Sequence, residues 1–287
     1  MIEANAFLAA FAVQILVMSV LIPSWFIRNA RARTASVPAE RLAQLYPGVD
    51  VGLALKRFLT QYRVLTMGIA VLGLLLLIWL FNDVRRPDWN SNKTGPLATA
   101  YFLVALGLPG FLFVRFIVRF NKEHKPAEGK RTAILQRRGL FDFVSPFIVF
   151  VAVLSYFLYA AFVIYIEQHP FPGFAGYLKN IGAMTLLYAV NAFAVYISLY
   201  GRNKNPFETQ ADRLHTIGLT VKGIVYSSIV MVLYISLNHS LRLLDLKSWE
   251  PFALSIFFAI CALLASMGFA APLRKPEADG LGSSPVS

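Results

Sequence analysis

Apolar residues in this chain come in long uninterrupted runs, neither in the alternation of a half-buried strand nor in the narrow stripe of a surface helix. Seven such runs follow one another: Asn5–Ile27, Val64–Asn82, Leu97–Val114, Val144–Ile166, Ile181–Tyr200, Gly223–Asn238 and Pro251–Ala271. None contains Asp, Glu, Lys or Arg. The third and sixth are the shortest, and apolar residues continue past both ends of each. Uncharged runs of roughly 18 residues or more have the length and character of membrane spans. In hydrocarbon each backbone N–H and C=O must find its partner inside its own segment, so these runs are expected to be helices. The pattern predicts an all-α, polytopic bundle of seven transmembrane helices forming one domain over residues 1–271.

Composition agrees with the pattern. Of the 287 residues, 57% are hydrophobic and 15% charged, against about 25% charged in soluble domains. The mean hydropathy is +0.60.

Charge then predicts an orientation. The segments Arg28–Arg63, Arg115–Phe143 and Gly201–Lys222, with the tail after Ala271, hold 21 lysines and arginines, whereas the alternate segments hold 6. Lys/Arg bias in short loops sets topology, so the N-terminus is expected outside and the C-terminus in the cytoplasm. With nine acids on the basic side and six on the other, the whole net charge of +12 falls on the cytoplasmic face. That asymmetry points to anionic lipid heads as partners and away from nucleic acid, because basic loops beside span ends are what topology requires. The opening run is too long for a signal peptide and its arginines follow it, which is the pattern of an uncleaved first span. Short loops and the missing targeting signals suggest a bacterial inner membrane. The one cysteine, Cys261, excludes an internal disulfide and any Cys-based metal site.

Two cytoplasmic segments, at about 37–63 and 127–143, read as amphipathic. In the first, Pro47-Gly48 ends a short helix and Asp50 caps a helix unbroken to Asn82. In the second, Ile134 and Leu135 oppose Arg131, Arg137 and Arg138, so the stretch is expected along the membrane surface with its arginines on lipid phosphate. The Pro/Gly/Ser-rich tail, 272–287, reads as disordered. The other loops are too small for an extracytoplasmic domain, and the two amphipathic segments share no residue-level repeat.

Candidate chemistry is sparse. In "NKNPFETQADRLH", Glu208, Asp212 and His215 stand at helical spacing, as metal ligands or an acid/base set would. Asn205 at an N-cap, Pro206 at N1 and Glu208 at N3 equally describe a capped helix start, which is the reading preferred here. No HExxH, G-x-S-x-G or phosphate-binding loop occurs, and no cofactor is expected. Inside the spans the polar groups are Gln14, Asn191 and a set of tyrosines. Tyr188 and Asn191 share a helix face, and with Tyr156 and Tyr159 opposite they form a candidate lining for a lipid- or quinone-like ligand. Interhelical hydrogen bonding and headgroup belts are the plainer roles for such groups. Ser255, Ala259, Ala262, Ser266 and Ala270 give the last span a ridge of small residues suited to close packing, within the chain or against a partner or second copy. Pro109-Gly110 is expected to kink the third span. Three functions follow as expectations: a non-enzymatic subunit or scaffold of a membrane assembly, a transporter or lipid-handling protein using the Tyr/Asn cavity, and an interfacial enzyme with a cytoplasmic-side metal site.

Overall fold

The computed structural model describes residues 2–36, 40, 43, 46, 48–86, 94–123, 139–201 and 210–270. Helices account for nearly all of them, and no strand occurs among the described residues. Helix α1 comprises Ile2–Leu16, a π turn at Val17–Leu21 and Ile22–Ser36. It is followed by α2 (Val51–Asp83), α3 (Thr94–Glu123), α4 (Pro146–Glu167), α5 (Tyr177–Tyr200), α6 (Gln210–Leu243) and α7 (Glu250–Ala270). All seven are long and apolar enough to cross a membrane. The chain is a multi-pass integral membrane protein.

Local sequence explains where several of these helices begin and where their bonding pattern changes. Asp50 caps α2, its Oδ1 accepting from the Leu53 N–H at 2.9 Å, and Gly48 supplies the positive φ of the preceding turn. In α1, Pro23 has no N–H to give the Ser19 carbonyl, and its ring crowds that turn. The helix widens just before it, the Ile22 N–H reaching back five residues to the Val17 carbonyl. Pro109 lies inside α3 and withholds the same bond from the Ala105 carbonyl. A positive φ at Asp245 turns the chain between α6 and α7.

Helix α7 is the axis of the bundle. On one side it packs against α1 and α3, with α2 completing that group; on the other it packs along α6, which carries α4 and α5. The α6–α7 interface is the most extensive in the molecule. Backbones approach closely there: a Cβ on Gly223 would stand 2.6 Å from the Leu264 carbonyl oxygen. The small-residue ridge of α7 turns toward the other flank, to α1 and α3. Ser255, Ala259, Ala262 and Ser266 are all buried within the chain, Ala259 and Ala262 against the core of Phe11, Met18, Tyr101 and Ala105. Tyr101 itself lies over Gly73 of α2 and shares a 2.5 Å hydrogen bond with Ser19. Gln14, fully buried, donates to the Ala98 carbonyl at 3.1 Å. An aromatic cluster of Phe26, Phe58, Tyr62, Phe113 and Phe116 joins α1, α2 and α3 toward the end of the bundle where α7 finishes.

Helices α4 and α5 stand at the periphery. The most apolar window of α5 is only 6% buried, and Leu186, Val190 and Phe193 point outward from it. Such a surface is suited to hydrocarbon. The first amphipathic segment continues into α2 from Val51, while most of 37–47 lies outside the described residues. Of the second, only Gly139 onward is described, as a short turn at Leu140–Asp142 leading into α4. The tail and Ala271 also fall outside.

Candidate functional site

Among the described residues three cavities between the helices stand out, and the first contains half of the tyrosine/asparagine set. Between α4, α5 and α6 is a cavity of about 270 Å³ whose polar groups are Tyr188, Asn191 and Ser228, on walls that include Ala152, Val195 and Val225. Asn191 and Ser228 both sit near the middle of their spans. Asn191 Nδ2 donates to Ser228 Oγ at 2.8 Å, and Ser228 passes its own hydrogen to the Ile224 carbonyl at 3.1 Å. The amide oxygen of Asn191 makes no hydrogen bond among the described residues, so an acceptor is left on the cavity wall. The Tyr188 hydroxyl is held against α4, donating to the Ala152 carbonyl at 2.8 Å beside Ser155 Oγ at 3.1 Å. Val153 and Ala192 belong to the same lining and are exposed on the outer surface, so the cavity reaches the lipid-facing side of the bundle.

The two remaining tyrosines are placed elsewhere. Tyr156 packs edge-on against Tyr188 with ring centres 5.3 Å apart, but its hydroxyl turns to Thr185 Oγ1 at 2.7 Å. Thr185 gives its hydrogen to the Ile181 carbonyl, so Tyr156 is the donor in that pair. Tyr159 is buried farther along α4, its ring 6.2 Å from that of His239.

His239 marks a polar cluster that the sequence pattern did not single out. Its ring is bracketed by Tyr159, Phe171 and Phe174, and its Nε2 lies 3.3 Å from Asn180 Oδ1. Asn180 Nδ2 donates to the Gly176 carbonyl at 2.9 Å, which orients the amide oxygen toward the imidazole. His239 therefore donates through Nε2–H. One turn on, Arg242 forms a two-pronged pair with Glu250, Nε–Oε1 at 2.7 Å and Nη2–Oε2 at 3.0 Å. The signal was present in the sequence: Asn238, His239 and Arg242 keep helical spacing, and nothing breaks α6 before Asp245. The apolar run ends at Asn238, whereas the helix continues to Leu243.

Beside Arg242 and Asn238 a second cavity of about 270 Å³ opens between the ends of α3, α6 and α7. A third, of about 220 Å³, is nearly all apolar and lies between the π turn of α1, the Pro109 region of α3 and α7. Met18 of the π turn and Ile22 just after it line that space together with Ala105, Pro109 and Gly110.

The remaining sequence candidates contribute no described geometry. Glu208, Arg131, Arg137, Arg138 and the side chain of Asp212 lie outside the described residues, while His215 is an exposed residue of α6. Among the described residues no group of three His, Cys, Asp or Glu side chains converges on a metal position.

A scan of family models and searches of the curated proteins and the solved structures return no match for this chain. Whatever function is assigned must come from its own residues.

Proposed function

We propose that this membrane protein handles a lipid or lipid-like molecule, holding its polar part in the α4–α5–α6 cavity without covalent chemistry. The observation that carries this reading is the Asn191 amide on an otherwise apolar wall in mid-span. Polar groups at that depth are costly unless they are paired. One side of this amide is paired with Ser228 and the other faces the cavity. A ligand hydroxyl or amine would supply the missing donor, and the apolar lining would take the adjoining chain. Entry from the bilayer past Val153 and Ala192 suits a molecule already dissolved in the membrane. A cavity of about 270 Å³ is slightly smaller than pockets that enclose a drug-sized ligand, so it fits a headgroup or a short length of chain.

Native mass spectrometry of the protein taken from membranes in native-lipid discs tests the idea. The expected result is a chain carrying one small molecule at fixed stoichiometry, lost in Asn191→Leu and weakened in Tyr188→Phe. Asn191→Leu leaves Ser228 bonded to the Ile224 carbonyl, so the variant should fold. A wild-type chain with no bound molecule, or one retained equally in both variants, would sink the proposal.

A second reading, a subunit of a membrane assembly, draws on the sparse burial of α4 and α5, whose most apolar windows are 17% and 6% buried. It predicts that the same spectrum shows a stoichiometric partner chain, and that bulky substitutions at Leu186 and Phe193 release it.

A further inference from the structure

The apolar cavity between the π turn of α1, the middle of α3 and α7 is separate from the one just discussed and independent of it. Its volume is about 220 Å³. An apolar cavity of about 150 Å³ is enough to take up benzene, so this one has room for a single substituted six-membered ring and not for a whole lipid. Gly110 and Ala265 belong to its lining and are exposed, which opens it to the lipid-facing side of the bundle.

Four aromatic side chains contribute to the wall: Trp25, Phe26, Tyr62 and Phe113. The Phe26 ring lies 4.6 Å from that of Tyr62 and 5.6 Å from that of Phe113, centre to centre. Among the described residues none in the lining is charged. A phosphate or an ammonium would enter without a partner, and burying an unpaired charge is costly. An uncharged ligand is favoured.

A polar group is nevertheless left to satisfy. Tyr62 is only 6% exposed, and its hydroxyl makes no hydrogen bond among the described residues. That hydroxyl is not sealed off. Gln14 Oε1 and Ser255 Oγ are unbonded and without accessible surface, whereas the Tyr62 hydroxyl keeps some, and the cavity is the space that Tyr62 lines. The Trp25 indole N–H also has no partner among the described residues. Ser266 has already given its hydrogen to the Leu263 carbonyl at 2.8 Å. Buried polar atoms without partners are rare in folded proteins. The lining thus has hydrogens to give and lacks an acceptor to receive them. An acyl chain would fill the volume and leave Tyr62 unpaired. An uncharged ring with carbonyl oxygens on its rim answers both the shape and the donors.

We propose that this cavity binds the head ring of a membrane quinone, packed among Trp25, Phe26 and Phe113, with one carbonyl oxygen accepting from the Tyr62 hydroxyl. The apolar tail of such a molecule leaves past Gly110 and Ala265 into the bilayer.

The full chain, with Trp79, Trp89 and Trp249 changed to Phe so that Trp25 is the remaining tryptophan, is placed in phosphatidylcholine discs and titrated with duroquinone, a tetramethyl benzoquinone. Durene, the same ring without its oxygens, is the competitor. Quenching of Trp25 is expected to saturate, and durene should displace the quinone only at about tenfold higher concentration or above. Loss of one neutral hydrogen bond in Tyr62→Phe should weaken binding about three- to tenfold. The same variant should be as stable as the parent, because that hydroxyl supports nothing else in the fold. Gly110→Leu puts a side chain at the mouth, where a Cβ meets no other atom within 4 Å, and should remove the saturable quenching. In the chain with all its tryptophans, duroquinone should raise the unfolding temperature more than durene does at the same concentration. Quenching that never saturates, durene as effective as duroquinone, or an affinity unchanged in both Tyr62→Phe and Gly110→Leu would overturn the proposal.

Discussion

At the scale of single residues, the glycines show how differently one atom type can matter. A Cβ on Gly223 would meet the Leu264 carbonyl at 2.6 Å, a backbone atom that can move only if α6 or α7 moves. A Cβ on Gly218 would meet only the Phe143 ring, at 3.0 Å, and a side chain can yield. Gly107 and Gly110 face open space. Gly223→Val should therefore destabilise the protein by about 1–3 kcal/mol, the usual cost of overpacking, with Gly218→Ala well below that and Gly110→Ala near zero. Equilibrium unfolding in mixed micelles checks the ranking, and a neutral Gly223→Val would mean that the α6–α7 contact is looser than described. The candidate-site residues divide in a similar way. Asn191 and Tyr188 were legible because a polar side chain inside an uncharged run is conspicuous. Asn238 and His239 keep helical spacing with Arg242, but at the end of a run their grouping shows only when the fold brings Asn180, Phe171 and Glu250 to them.

At the scale of elements, the two prolines act through the bonds they cannot make. Pro23 opens α1 into a π turn, yet the turn is also held in register from outside, by Gln14 on Ala98 and Ser19 on Tyr101. Pro109 removes the donor for Ala105 in the middle of α3, facing the same apolar cavity. Pro109→Ala would restore that bond and straighten α3. With Cys261 replaced and spin labels at the exposed positions Ala100 and Val118, the distance between labels, about 27 Å along an ideal helix, should lengthen and narrow in the variant. An unchanged distribution would show that neighbouring helices, and not the missing bond, shape α3. The missing bond was readable from Pro109 alone. The neighbourhood of Pro109 was not, since nothing in the spacing of Pro23 and Pro109 tells which helices become neighbours.

At the scale of the whole molecule, two helix groups meet along α7, which joins α1 and α3 on one flank to α6 on the other. Seven spans put the start of α1 and the end of α7 on opposite faces, and the charge distribution predicts which face is which. The basic segments carry all of the net charge of +12, so the N-terminus is expected outside. Ile2, well exposed at the start of α1, gives a direct probe. Ile2→Cys in a Cys261→Ala background should react with a membrane-impermeant maleimide on intact cells, and a fluorescent protein fused after Ser287 should fold and fluoresce in the cytoplasm. Labelling only after the cells are opened would reverse the orientation.

The number of spans, their helical state, the cap at Asp50 and the charge asymmetry are local consequences of composition and hydrogen bonding. Each is decided within a few turns of chain, because hydrocarbon forces every span to satisfy its own backbone. Which spans touch is a different matter. Between helices in lipid the hydrophobic effect supplies no preference, and pairing depends on shape and a few polar contacts. Only the tertiary structure decided that Ser255, Ala259, Ala262 and Ser266 of the α7 ridge are buried inside the chain, the side chain of Ala270 lying outside the described residues. It alone separated Tyr156 and Tyr159 from the cavity of Tyr188 and Asn191, and brought Asn238, Arg242 and Lys247 to one opening.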